Sequence, residues 1–206
     1  MSQQEWTFTS SYVVMARENV DTDQIIPARF LTTTDRLGLG PHAFNDWRYR
    51  ADGSPDPEFV LNRDSARGAL VLVAGRNFGC GSSREHAVWA LAGAGFRAVV
   101  STEFADIFRG NALGNGLLPI VVSAEVLAQL MEAQPPGARV TVNLEKRTFT
   151  LPNSDTVPFA VPPFSRYCLL HDTNEMSFLL DAEGDIATYE ALHPATIDTL
   201  AAETRA

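Results

Sequence analysis

The run Ala69-Leu70-Val71-Leu72-Val73-Ala74 is apolar without a break, and it empties into a segment punctuated by Gly75, Gly79 and Gly81. An unbroken apolar run marks a strand buried on both faces, because a half-exposed strand would alternate with polar residues. Such a strand needs a covering layer on each side, and the downstream sequence supplies candidates. Residues 83–94 predict a helix, with Ala87, Val88, Leu91 and Ala94 at helical spacing. Ala98-Val99-Val100 predicts a second strand, and Phe104, Ile107, Phe108 and Ala112 a second helix closed near Gly114 or Gly116. Leu117 to Val122 predicts a third strand, and residues 124–133 a third helix that ends before Pro135-Pro136. Strands alternating with helices imply parallel pairing through right-handed crossovers.

The flanks read differently. Residues 5–16, with Trp6, Phe8, Tyr12, Val13 and Val14, suggest one first strand, ended by a polar turn from Asn19 to Asp23. Residues 35–65 are rich in Gly, Pro, Asp, Asn and Arg and lack periodicity, which suggests a long surface excursion with a little helix. Past Pro136, Val140, Val142, Leu144, Phe149 and Leu151 alternate around Glu145-Lys146-Arg147, a hairpin pattern. Helical segments follow, from Phe164 to Leu180 and from Ile186 to Leu192. The expectation is a single α/β domain over residues 1–206. It has central parallel strands, a β-rich flank and a helical C-terminal tail, with a core of about 5–192 and a terminal 193–206.

Charge and cysteine content exclude several function classes. A formal net charge of −9 disfavours nucleic acid as the main partner, since phosphate binding is driven by a basic surface. No apolar run approaches the roughly 18 to 20 residues needed to span a bilayer. The start MSQQEWTFTSSY lacks the basic and apolar regions of a signal peptide, so a cytoplasmic location is expected. With only Cys80 and Cys168, no disulfide framework is inferred. With scattered His42, His86, His171 and His193 they supply no zinc or iron–sulfur ligand set either. No metal is expected in this chain.

Chemistry concentrates in Gly75-Arg76-Asn77-Phe78-Gly79-Cys80-Gly81-Ser82-Ser83-Arg84-Glu85-His86-Ala87. Loops at the carboxyl ends of parallel strands are where open sheets bind ligands. Glycines let backbone N–H groups approach an anion, a helix start adds unpaired donors, and Arg84 offers a bidentate fork for a carboxylate. The same residues admit a plainer reading. Ser82-Ser83-Arg84-Glu85 has capping-box spacing, with Ser82 as N-cap and Glu85 three residues on. Spacing alone leaves both open, and the Gly-Lys-Ser/Thr ending of a P-loop is absent.

Gly79-Cys-Gly-Ser-Ser-Arg-Glu-His-Ala resembles the signature of the swivelling β/β/α domain of the aconitase superfamily. Further blocks carry the likeness: Asn19-Val20-Asp21-Thr22-Asp23-Gln24-Ile25-Ile26-Pro27-Ala28-Arg29-Phe30-Leu31, Gly75 through Leu91, Phe104 through Asn111, and Gly116-Leu117-Leu118-Pro119. Together they are similar to the small subunits of bacterial-type 3-isopropylmalate dehydratases, over about residues 5–192. The segment His171-Asp172-Thr173-Asn174-Glu175-Met176 departs from the Asn-Gly-x-Asp-Asp run usual there.

The resemblance implies a hydro-lyase subunit of leucine biosynthesis that binds a small dicarboxylic hydroxy acid. It implies activity only with a large subunit that carries a 4Fe-4S cluster. By residue, it implies Ser82 as general base and Ser83 and Arg84 as carboxylate ligands, with Arg17 as a second substrate arginine. Phe30, Leu31, Thr32 and Thr33 match the loop that sets substrate choice. That loop carries no charge for a third carboxylate, which favours an isopropyl branch. His86 and Cys80 receive no catalytic role, and Asp21 and Asp23 are expected to hold their turn. Remaining alternatives are a related hydro-lyase acting on citramalate or dimethylmalate, and a non-catalytic anion-binding module.

Overall fold

The computed structural model describes residues 5–32, 36, 38–132 and 137–193. Of the segments expected above, Thr33, the 133–136 linker and residues 194–206 lie outside the described residues.

Strands β1 (Thr7–Ser10) and β2 (Tyr12–Met15) occupy what reads as a single first strand. They belong to different sheets. The physical reason for the break is Ser10, which is buried. Its hydroxyl donates to the Ser11 carbonyl at 2.8 Å and accepts from the Leu70 N–H at 2.9 Å. That pair of bonds satisfies the backbone where the chain changes sheets.

The parallel sheet is β2, then β3 (Val71–Ala74), β4 (Ala98–Ser101) and β5 (Leu118–Val121), hydrogen-bonded in that order. All four residues of β3 and of β4 are buried, as a two-faced strand requires. Alternation sorts their side chains to opposite faces. Leu72, Ala74 and Val99 join one core with α3 (Glu85–Gly93) and α4 (Asp106–Gly114). Val71, Val73, Ala98 and Val100 join another, with Leu127 and Leu130 of α5 (Ala124–Glu132).

That second core is closed by an antiparallel sheet in the order β1, β6 (Val140–Asn143), β7 (Thr148–Thr150) and β8 (Thr156–Pro158). Val140, Val142, Leu144 and Phe149 point into it beside Trp6. The expected hairpin is therefore present and paired with β1. Strand β8 was not anticipated: it is three residues long and carries Pro158, which an edge strand tolerates. The layers are antiparallel sheet, parallel sheet and helices, the β/β/α order.

Two other segments depart from expectation. The excursion holds short 3-10 turns, α1 (Thr22–Ile25) before it and α2 (Asn45–Arg48) within it, so the little helix is there. It does not merely cover the surface, because Leu39, Ala43, Phe44 and Phe59 are buried in the helix-side core. Helix spacing is invisible there because each turn is too short to repeat. The C-terminal helix is also broken, into α6 (Pro163–His171), α7 (Glu175–Asp181) and α8 (Glu183–Leu192). Asp172 adopts a left-handed φ of 50° and Asn174 caps α7 by accepting from the Ser177 N–H at 2.9 Å, so a stop and a restart lie inside the departing segment.

Candidate active site

The loops after β2 and β3 are neighbours because their strands are. They are then zipped together beyond the sheet. The Gly75 N–H donates to the Arg17 carbonyl at 3.1 Å, Asn19 N–H to Arg76 at 2.8 Å, Gly79 N–H to Val20 at 2.8 Å, and Thr22 N–H to Cys80 at 2.9 Å. On the other side, Phe78 N–H donates to Glu103 and Ala105 N–H to Phe78, each at 3.1 Å, which ties the loop to the segment after β4. The glycine loop is thus held as a short extension of the ladder.

Side chains explain why glycine is needed here. Gly79 has φ 77°, and a Cβ there would overlap the Phe108 ring. Phe108 in turn meets buried Phe78 edge-on at 5.4 Å between centroids. At Gly75 a Cβ would run into the Arg17 carbonyl. The left-handed residues Asn77 and Asn19 clasp each other, Asn77 Nδ2 donating to Asn19 Oδ1 at 2.9 Å.

The capping box that the spacing admits at Ser82 is not formed. Helix α3 begins at Glu85, its N-cap is Arg84 with an extended φ of −125°, and no side chain caps it. Glu85 instead accepts from Asn115 Nδ2 at 2.7 Å, and Asn115 Oδ1 accepts from Trp89 Nε1 at 2.9 Å, tying α3 to the end of α4. The box with that logic lies across the loop. Asp21 accepts from the Gln24 N–H at 2.8 Å, and Gln24 Oε1 accepts from the Asp21 N–H at 3.0 Å. This is the turn-holding role expected of Asp21. Asp23 does something else: it pairs with Arg84, whose side chain is 19% exposed.

Ser82 and Ser83 are exposed at the tip, and among the described residues neither hydroxyl has a hydrogen-bond partner. The Ser82 backbone is nevertheless fixed, because the buried Thr22 hydroxyl donates to its carbonyl at 3.0 Å. Thr22 is a residue that sequence reasoning passed over. No local pattern marks it, because its partner lies sixty residues away in sequence. A second overlooked residue is Arg36, whose guanidinium lies 5.4 Å from the Trp89 ring centroid, above the first turns of α3.

The remaining expected residues are only partly gathered. Arg17 belongs to the zipped segment through its backbone, while its guanidinium lies over the Trp47 ring at 4.2 Å. Phe30 and Leu31 close the 3-10 turn Ala28–Phe30 that comes after α1, and both are half-buried against the helix-side core. Phe30 also stacks on His42 at 4.1 Å. Thr32 is exposed. His86 packs against Trp89 at 4.6 Å. The Cys80 thiol is pushed up by burial and by the nearby Asp21 charge, away from the low range of reactive thiolates. Among the described residues no three His, Cys, Asp or Glu side chains converge as a metal site, and no helix is long and apolar enough to cross a membrane.

The chain as a whole matches known proteins. The model of the aconitase C-terminal domain matches residues 9–125, and the LeuD_N model matches residues 125–163. The 3-isopropylmalate dehydratase small subunit of Anaeromyxobacter dehalogenans strain 2CP-1 is 60% identical over 181 residues, 88% of this chain and 94% of that protein. The protein of the same name from Chloroflexus aurantiacus is 52% identical over 195 residues, covering 94% and 97%. Among solved structures, the 3-isopropylmalate dehydratase from Methanocaldococcus jannaschii superposes with a TM-score of 0.65 at 29% identity. That match covers 89% of this chain and 99% of that one.

Proposed function

The chain belongs to the aconitase C-terminal domain family and, within it, to the small subunits of 3-isopropylmalate dehydratase, and from that premise we propose how it works. It is one half of a hydro-lyase of leucine biosynthesis, interconverting 2-isopropylmalate and 3-isopropylmalate by loss and re-addition of water. The observation that carries this reading is a rigidly zipped loop that presents two unpartnered hydroxyls beside Arg84.

Ser82 is the base, taking the proton from the carbon next to a substrate carboxylate. A serine oxygen is a poor base in water, and the charge of Arg84 with the first amides of α3 favours its ionised form. The Ser83 hydroxyl and the Arg84 guanidinium hold the carboxylate. The substrate has to compete with Asp23 for Arg84, so Arg84 enters the reaction already oriented. Arg17, whose guanidinium lies over Trp47, is the candidate for the second carboxylate, and its place in the segment zipped to Gly75 supports that role. Phe30, Leu31 and Thr32 are the described part of the loop that sets substrate choice, and its uncharged side chains suit an isopropyl branch; Thr33 belongs to the same loop by its place in the sequence.

A 4Fe-4S cluster does not fit this chain. Such a cluster takes three or four thiolates, whereas the sequence has Cys80 and Cys168 only, both with thiols raised by burial. The cluster therefore belongs to the large subunit, with which this chain, a single domain, works in the cytoplasm. The test is to mix the purified chain with a cluster-reconstituted 3-isopropylmalate dehydratase large subunit and assay 3-isopropylmalate dehydration. Activity in the mixture and in neither component alone is expected. Faster turnover of citramalate than of isopropylmalate would overturn the substrate assignment, and an inactive mixture would overturn the subunit assignment.

A further inference from the structure

Large exposed apolar side chains are concentrated in one part of the molecule. Among the described residues all but one of them lie between Phe164 and Leu192, and the exception, Ile107, is on α4. Helices α7 and α8 contain no buried residue. Phe178 joins α7 to α6 by edge-on contacts with Phe164 and Tyr167 at 5.0 and 5.7 Å between centroids. The other apolar residues are left outside: Met176 is 66% exposed, Leu180 62%, Tyr189 63% and Leu192 72%. Ile186, Tyr189 and Leu192 recur every three residues, which sets them along one side of α8. A concentration of exposed apolar side chains of this kind on a folded protein marks a place where something binds.

Position and charge say what binds. Between α4 and the α6–α7 pair runs a cleft of about 780 Å³, lined by Arg109, Asn115, Phe164, Cys168 and Met176 and reaching Glu85, the residue after Arg84. A protein that closes over the Ser82 loop and follows this cleft from Glu85 reaches Met176 and Leu179 of α7, which α8 follows in the chain. Residues 175–193 hold Glu175, Asp181, Glu183, Asp185 and Glu190 and neither lysine nor arginine. Self-association through these helices would set like charges against each other, on a chain whose net charge is already −9.

We infer that α7 and α8 are the docking arm for the cluster-bearing large subunit, which meets them with an apolar groove rimmed by Lys and Arg. This rests on the subunit reading above. The arm lets the site assemble without spending the exposed loop tip on affinity. Hydrophobic anchors hold the pair together, and Ser82 to Arg84 stay available to substrate.

The experiment uses full-length chain carrying Leu180→Asp, Tyr189→Asp and Leu192→Asp together, and separately Glu183→Lys, Asp185→Lys and Glu190→Lys. Affinity for the large subunit is measured by titration, and turnover at saturating large subunit. The apolar set should weaken binding by about 30-fold or more, as loss of central anchors does. The charge set should weaken it less and flatten its salt dependence. Both should leave saturated turnover and thermal unfolding unchanged. Unchanged affinity in both sets, with normal turnover, overturns the arm while sparing the subunit reading. Two further results overturn it: an isolated parent chain that is a dimer broken by the apolar set, or a fall in Tm showing that these side chains pack within the chain. A parent chain that neither binds nor activates the large subunit overturns both readings.

Discussion

The glycine loop and the C-terminal helices both lie at the surface, yet they are built on opposite principles. Residues 75–80 have few side chains to bury, and their order comes from backbone bonds to two flanking segments. Helices α7 and α8 have ample apolar side chain and regular backbone, but they bury almost none of it. A reacting group must be in place before substrate arrives, so its support is internal and complete. A surface meant for another chain keeps its apolar residues uncommitted until that chain arrives. Ser82 combines the two designs in one residue, with its carbonyl held by Thr22 and its hydroxyl exposed.

The largest expected effect separates chemistry from support. Ser82→Ala should lower kcat of the assembled enzyme by roughly 10²- to 10⁴-fold, the usual worth of a positioned base. Because the hydroxyl caps nothing, Tm should stay at the parent value, whereas a lost N-cap would cost about 1 kcal/mol. Active Ser82→Ala enzyme would return the loop to a structural role. Next comes the support itself. Gly79→Ala asks a side chain to occupy a left-handed position against the Phe108 ring. Destabilisation by ~2–4 kcal/mol in urea unfolding is expected, from overpacking plus backbone strain. A near-neutral result would show that α4 yields easily and that the loop is less rigid than its bonds imply.

What could be read in the sequence follows this divide. The buried strand, the crossover helices and the glycine loop were legible because their signals are local: unbroken apolar runs, helical spacing, and glycine where the backbone turns. At the helix start the sequence left two readings open, and the structure removes one for an instructive reason. Ser82 and Glu85 have the spacing of a capping box, but the Ser82 carbonyl is held by Thr22, sixty residues away in sequence. A non-local bond overrode a local pattern. The same is true of residues 5–16, where Ser10 anchors to Leu70 and splits one apparent strand between two sheets. The pairing of Arg84 with Asp23 was not legible, since spacing carries no information about which cation a turn carboxylate meets. The break at Asp172 coincides with the one segment that departs from the family pattern.

Smaller effects test the pairing of Arg84. Arg84→Lys keeps the charge and loses the planar fork, so KM for isopropylmalate should rise about tenfold or more with stability intact. Asp23→Asn removes a half-exposed partner. Such pairs contribute at most about 1 kcal/mol, so Tm should hardly move. The informative readout is KM against kcat. If Asp23 orients Arg84, both parameters worsen; if it only competes with substrate, KM falls.

The smallest effect concerns Cys80, which sits within the loop yet behaves as part of its support. Its thiol is pushed up first by burial and then by the Asp21 charge. A raised pKa leaves less thiolate at neutral pH, so alkylation should be slower than for a peptide thiol and should climb with pH into a more alkaline range. The folded state also holds this proton longer than the unfolded chain, so the thiol's contribution to stability is present below the unfolded pKa and is lost as pH rises through the folded one. Asp21→Asn isolates the electrostatic part. Asparagine caps a helix as well as aspartate does, so the turn survives while the charge goes. In a Cys168→Ser background, Asp21→Asn should speed alkylation of Cys80 and shift its pH profile down. An unchanged profile would leave burial as the whole cause and make the loop's thiol indifferent to the turn it is zipped against.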